Sequence, residues 1–415
     1  MIEPLPLIKS KKEWFYLTII LFIIFIINLS YLYYQYNIFK SNEIFNTNAT
    51  VINIYSKPQY QILKLQNNQL TFYTSYSNKN KLQTNDIVDI SIITNKITFI
   101  NYLKGFYALS FNIYKTSHHF TLLEQLQAFV SHQHKNPNIT QIYNALFFAI
   151  PVNQNIKTFS NKYGISHLLA ISGFHLSVLS FIFYWILYFL YKPIANRYFP
   201  YRNIKFDILK IVIILLFGYI VLLGFIPSLI RSFYMFIFGI FLLRSNIKVI
   251  SYTTLLLVLI SLIAFFPKLL FSLSLWFSII GVFYIFLFLQ YFKHINQIIQ
   301  FFLFNIWIYL AINPIIHLFF PTISTLQLYS PIFTILFTLF YPLELILHII
   351  SYGNLLDYIL EILLNTTTTT KEFQTPLVFG LYYIFISLLA IRYKKIFILQ
   401  NISFIIFNIV IFFML

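Results

Sequence analysis

The chain has 415 residues, 59% of them hydrophobic and only 9% charged, with a mean hydropathy of +0.77. A soluble domain carries roughly 25% charged residues, so this composition excludes an ordinary soluble enzyme. Cys is absent, which excludes disulfides, thiolate zinc sites and cysteine nucleophiles, and Lys plus Arg exceed Asp plus Glu by 28 to 11, a net +17. In a membrane protein such an excess serves topology and anionic lipid first; an anionic substrate is the sharper reading.

Residues 1–36 read as a cytoplasmic N-terminus and an anchor. Lys9, Lys11 and Lys12 stand against one acid, Glu3, and Trp14 to Tyr36 is an uncharged apolar run. A helix needs about 20 such residues to cross the hydrocarbon. The run exceeds a signal-peptide core and shows no small-residue cleavage site, so the anchor reads as uncleaved. The lysines keep the N-terminus cytoplasmic, and the segment after Tyr36 emerges on the outer side.

Residues 37–115 change character. Alternating runs at Ala49–Tyr55, Tyr60–Leu65, Leu70–Tyr76, Ile87–Ile93, Ile97–Tyr102 and Phe106–Tyr114 read as strands. Turn-like stretches separate them at Ser56-Lys57-Pro58, Asn67-Asn68 and Ser77 to Asn80. This pattern predicts a small OB-like β-barrel. Lys57, Lys64, Lys79, Lys81, Lys96 and Lys104 interleave with Tyr60, Phe72, Tyr73 and Tyr76. Such interleaving suits single-stranded nucleic acid; the alternative is a spacer domain with a solvated lysine face.

Residues 116–165 predict amphipathic helices lying along the outer membrane surface, at Phe120–Val130 and at Asn138–Ile150, the second ended by Pro151. His118, His119, His132 and His134 have no carboxylate close in sequence, so they read as surface histidines and no metal is expected.

Residues 166–415 read as a multi-span body. Candidate spans are 168–190, 207–224, 228–243, 249–266, 269–292, 298–320, 328–350, 376–391 and 396–414. The loop with Lys192, Arg197, Arg202 and Lys205 falls inside, as do Arg244, Lys248 and Lys293. Simple alternation then puts Arg392, Lys394 and Lys395 outside. An extra crossing or a re-entry is needed, and Pro342, midway through 328–356, predicts a broken element there. That leaves 351–375, with Asp357, Glu361 and Thr366–Thr370, on the outer face.

Polar groups at membrane depth are costly and mark function. Gly164–His175 contains His167, Ser172, Gly173 and His175. Ser172 and His175 are one helical turn apart and within hydrogen-bonding reach. They read as a pore-lining element or as a polar packing seam. A serine–histidine nucleophile lacks a carboxylate to orient the imidazole. Pro227 and Ser228 precede Arg231, which either pairs with Glu344, faces an aqueous path, or snorkels to headgroups. Ser272, Ser274, Ser330 and Pro331 complete the polar and helix-breaking positions.

GISHLLAISGFH over Gly164–His175 resembles the motif of the ComEC competence-channel family. Pro227-Ser228 with Arg231 resembles that family's P-S-x-x-R segment. Phe271-Ser272-Leu273-Ser274 resembles its F-x-L-S segment. Ser330-Pro331 with Pro342 resembles its S-P-L…P segment. The four come in the family's order, and the anchor with an OB-like domain resembles its N-terminal region. Two features depart from the pattern. Phe337 stands where the family commonly has asparagine. The H-x-H-x-D-H run of the metallo-β-lactamase-like domain carried by many members is absent.

The resemblance implies an inner-membrane channel, N-terminus cytoplasmic, passing single-stranded DNA inward during natural transformation, without a nuclease or cofactor of its own. The positions matching its motifs, His167, Ser172, Gly173, His175, Ser228, Arg231, Ser272, Ser274 and Ser330, become candidates for the DNA path, with Pro227, Pro331 and Pro342 as structural breaks. Its expected partners are single-stranded DNA, membrane lipid, a periplasmic DNA receptor, a cytoplasmic ATPase, helicase or single-strand-binding protein, and further copies of itself. Competing readings are a small-molecule or lipid transporter with an outer soluble domain, for which no internal repeat is seen, and an intramembrane hydrolase using Ser172 and His175.

Overall fold

The structure, a computed structural model, describes residues 10–56, 59–67, 70–77, 82–118 and 122–413. Lys57, Lys79, Lys81 and His119 lie outside the described residues. The chain divides into two compact units, one of Pro6–Leu122 with Leu256–Trp276, the other chiefly of Leu123–Leu255 and Phe277–Leu415.

In the first unit, helix α1 (Lys11–Lys40) starts at Ser10, whose side chain accepts from Glu13 N–H. Thirty residues make about 45 Å, more than the roughly 30 Å of hydrocarbon. The last turns therefore continue past the apolar run, and Tyr36 and Phe39 join the core of the strand domain. The Tyr36 hydroxyl donates to the Ile97 carbonyl at 2.9 Å.

The strands are β1 (Ile44–Ser56), β2 (Gln61–Gln66), β3 (Thr71–Tyr76) and β4 (Asp86–Ile93), then β5 (Phe106–Tyr107) and β6 (Ser110–His118). Alternation places Leu63, Leu65, Phe72, Val88, Ile90 and Ile92 in one core. The order is β5-β3-β2-β1-β4-β6, with β3–β5 parallel and the other pairs antiparallel.

Two expectations are corrected here. The sheet is not a closed barrel. The last segment splits at Ala108 and Leu109, and only two residues pair with β3. The run Ile97–Tyr102 is not a strand. Thr98 caps helix α2 (Phe99–Lys104), which turns Tyr102 and Leu103 inward. Against α2 lies the turn Pro267–Phe271, with Lys268 Nζ 5.3 Å from the Tyr102 ring and Lys104 Nζ 5.2 Å from that of Phe271. The Asn28 side chain donates to Ala264 O at 2.8 Å.

The second unit opens with α3 (Leu122–Ser131), α4 (Pro137–Phe148), α5 (Gln154–Lys162) and α6 (Ser166–Leu169). Then come α7 (Gly173–Tyr198), α8 (Ile204–Leu222), α9 (Pro227–Arg244), α10 (Tyr252–Phe265), which passes into the first unit at Leu256, α11 (Leu273–Phe292), which returns to the second at Phe277, and α12 (Gln297–Ile316). The short strand β7 (Thr322–Ile323) precedes α13 (Ser330–Ile349) and α14 (Asp357–Asn365). Strand β8 (Lys371–Glu372), α15 (Leu377–Ala390) and α16 (Lys394–Phe413) finish the chain.

Among the described residues seven helices are long and apolar enough to cross a membrane: α1, α7, α9, α11, α12, α13 with its preceding turn, and α16. Lys205, Asp207 and Lys210 crowd the start of α8, and α10 and α15 have 14 residues each.

The basic loops of this unit gather at one end. A Cβ on Gly173 would meet Ser232 Oγ at 3.3 Å, so α7 and α9 start side by side and run together toward Arg197 and Arg244. Beyond Arg244, the Tyr252 hydroxyl donates to Gln290 Oε1 at 3.0 Å. Gln290 Nε2 donates to Ile391 O at 2.9 Å, and the Tyr291 hydroxyl to Ala390 O at 2.6 Å. Arg392, Lys394 and Lys395 therefore share an end with Lys293, Arg244 and Lys248.

The reason is α13. Its Ser330 hydroxyl donates to Gly164 O at 3.0 Å, its Phe337 and Tyr341 rings pack on His175, its Tyr341 hydroxyl meets that of Tyr219 in α8, and its Leu345 joins the apolar cluster that α7, α8 and α9 share. These partners lie at the starts of α7 and α9 and the end of α8. Helix α13 thus lies across the non-basic end of the bundle. The β7–β8 pairing, Thr322 opposite Glu372, returns the chain to its starting level. The broken element expected at Pro342 is corrected: α13 runs unbroken through it, because a proline removes one hydrogen bond without ending a well-packed helix.

Candidate functional site

The motif residues close around the start of α7. Ser172 is its N-cap: its Oγ accepts from Phe174 N–H at 3.3 Å. His175 Nδ1 accepts from Ser172 N–H at 3.2 Å. This reciprocal cap satisfies two orphan donors of the helix end. An Nδ1 that accepts leaves the neutral ring's proton on Nε2. Nε2 is buried, and the rings of Phe337 and Tyr341 pack on the imidazole with centroids 5.5 and 4.7 Å away.

Gly173 lets α9 approach. Ser232 turns its hydroxyl back to Ser228 O at 2.9 Å, and its neighbour Arg231 is only 5% exposed. Pro227 and Pro331 sit in the first turns of α9 and α13. Ser330 is buried, while His167 is exposed with Nε2 3.5 Å from Thr334 Oγ1. The structure thus joins the start of α7 to the first turns of α9 through Gly173 and Ser232, and packs α13 on His175. Ser272 and Ser274 belong to the other unit.

A second polar cluster has no counterpart in the sequence reading. His134, expected at the surface, is buried. Its Nδ1 lies 2.9 and 3.0 Å from the two Asp357 carboxylate oxygens. Its Nε2 lies 2.9 Å from His348 Nε2. His348 Nδ1 is 2.7 Å from the Glu344 carbonyl and 3.3 Å from Glu344 Oε2. Glu344 is fully buried, with Oε2 facing His348 Nδ1 and the Tyr143 phenol beside its carboxyl. Tyr143 stacks on His134 at 4.5 Å, and burial with the nearby Glu344 pushes its phenol far up. Burial lowers the His134 imidazole below its ordinary value, against the opposing pull of Asp357. No sequence signal announces the cluster, because its partners stand 214 and 223 residues from His134.

A family model described as Competence protein matches residues 151–414, more than half of the chain and the whole of this site's α5–α16 frame. The chain belongs to the competence protein family. The ComEC resemblance drawn from Gly164–His175 is borne out. No curated protein and no solved structure matches. Family membership brings a role in DNA uptake and a multi-pass membrane body.

Proposed function

We propose that this competence-family chain is the inner-membrane channel for single-stranded DNA in natural transformation. The observation that supports the reading is the junction of two motif segments, where Gly173 meets Ser232 beside the Ser172–His175 cap and Arg231 is buried, at the non-basic end of the bundle. With the basic loops cytoplasmic, this end is the outer one, where DNA arrives. Buried Arg231 offers a fork suited to phosphate, and helix α13 covers the cluster until DNA engages.

The strand domain is OB-like in this reading. Pairing of β1 with both β2 and β4, with β3 parallel to β5, supports it, and an OB-fold is itself only partly closed. Lys64 on β2 lies opposite Tyr73 on β3, its Nζ 6.0 Å from the ring, and Tyr73 lies opposite Tyr107. A basic and aromatic row of this kind stacks bases and tracks phosphate. The chain carries no nuclease in this scheme, and the second strand, the DNA receptor and the motor belong to partners.

Deleting the gene tests the reading. The expected result is loss of transformation with labelled DNA held outside the cytoplasm. Labelled DNA reaching the cytoplasm at the normal level in the deletion strain would overturn it.

A further inference from the structure

The four side chains Asp357, His134, His348 and Glu344 form a continuous chain of contacts, and their protons can be counted. His348 Nδ1, at 2.7 Å from a carbonyl oxygen, is a donor and carries a proton. The contact of 2.9 Å between the two Nε2 atoms needs one proton between them. The contact of His134 Nδ1 with Asp357 at 2.9 Å needs another, on the ring or on the carboxyl. Asp357, His134 and His348 therefore hold three protons. Two neutral histidines and an ionised aspartate hold two. A metal ion does not replace the shared proton, since among the described residues no three His, Cys, Asp or Glu side chains are grouped to hold one.

We propose that Asp357, His134, His348 and Glu344 are a proton-relay site, loading one proton at the Asp357 end and passing it to the buried Glu344 carboxyl. The Asp357 side chain is 17% exposed, whereas those of His134 and Glu344 are fully buried, so the chain runs from surface to interior. The transfer balances. The proton on His134 Nε2 passes to His348 Nε2, while the proton on His348 Nδ1 leaves the Glu344 carbonyl at 2.7 Å for Glu344 Oε2 at 3.3 Å. The imidazolium becomes neutral, the carboxylate becomes a carboxylic acid, and net charge is unchanged.

The groups facing the relay are few. Tyr143 of α4 stacks on His134, and Glu344 and His348 belong to α13. Asp357 belongs to α14, where Glu361 is held at 3.2 Å by Asn136. Because burial works against the charge on His134, the third proton is bound on the acid side of the ordinary histidine range and released above it. The relay does not depend on what the channel carries. Chains of acid and histidine inside membrane proteins commonly move protons.

The test uses the full chain in lipid nanodiscs with nitrogen-labelled histidine, followed from about pH 5 to about pH 8. Infrared difference spectra of the same samples report the carboxyl. The expected result is a single joint transition of His134 and His348 with uptake of one proton per chain. A protonated-carboxyl band should accompany it and vanish in Glu344→Gln. Asp357→Asn keeps an acceptor oxygen but removes the charge; it should abolish the joint transition, and Asp357→Glu should restore it. Independent titration of the two histidines would overturn the relay in favour of a static clamp. So would a carboxyl band unchanged in Glu344→Gln, or a joint transition unchanged in Asp357→Asn.

Discussion

Arg231 shows how little side-chain identity decides without its surroundings. Placing Arg at the centre of a span costs about 2.5–3.5 kcal/mol on the lenient insertion scale, so its retention at 5% exposure demands a use. Arg231→Ala should cut DNA uptake at least about tenfold while membrane insertion persists, and Arg231→Lys should restore only part, because the two-pronged donor is lost. Transformation at the wild-type level by Arg231→Ala, at equal protein abundance, would remove the residue from the path. Ser172 makes the contrasting case. Its hydroxyl caps α7, so Ser172→Ala should cost about 1 kcal/mol of stability, visible as a lower melting temperature. Serine–histidine catalysis predicts instead an unchanged melting temperature and a lost activity.

At the scale of elements, the decisive object is α13, which has the composition of a span and the contacts of a cover. Length and hydropathy cannot separate the two, since both need an apolar helix of about 20 residues. Its position depends on partners at Gly164 and His175, and those are visible only in three dimensions. A direct measurement is available because the chain has no Cys. Leu328→Cys and Ser351→Cys flank the helix at exposed positions. Both should react with an impermeant maleimide from the same face of the membrane; labelling from opposite faces would make α13 a span. The sequence is most legible where one rule governs. Alternation locates β2, β3 and β4 within a residue or two, and the motif locates the start of α7. Alternation misreads Ile97–Tyr102 because a capping threonine outweighs the pattern there. His134 escapes sequence reasoning because its burial depends on Asp357 and His348, which no local window contains.

Over the whole bundle, charge and geometry agree on one orientation. Arg197, Arg202, Lys205, Arg244, Lys248, Lys293, Arg392, Lys394 and Lys395 all lie at one end, with Asp207 bound there by Arg202 at 2.8 Å. The opposite end carries Lys135, Lys157, Lys162 and Lys371 against Glu124, Asp357, Glu361 and Glu372, four of each sign. Short loops obey the positive-inside rule, and each exposed basic residue near an anionic surface adds about 1 kcal/mol of attraction. Nine such residues against a balanced end predict, by that rule, a bundle with its basic end in the cytoplasm. Had α13 crossed, the last three would have faced outward, against that bias; the cover geometry removes the conflict without a broken helix. Single cysteines at Asn246, at His294 and at Tyr393 should therefore be labelled only after the inner membrane is opened. A cysteine at Thr368, in the run between α14 and β8, should be labelled in intact cells stripped of their outer layers. Labelling of Tyr393→Cys in intact cells together with Thr368→Cys would show that the last two helices run the other way, and that α13 spans after all.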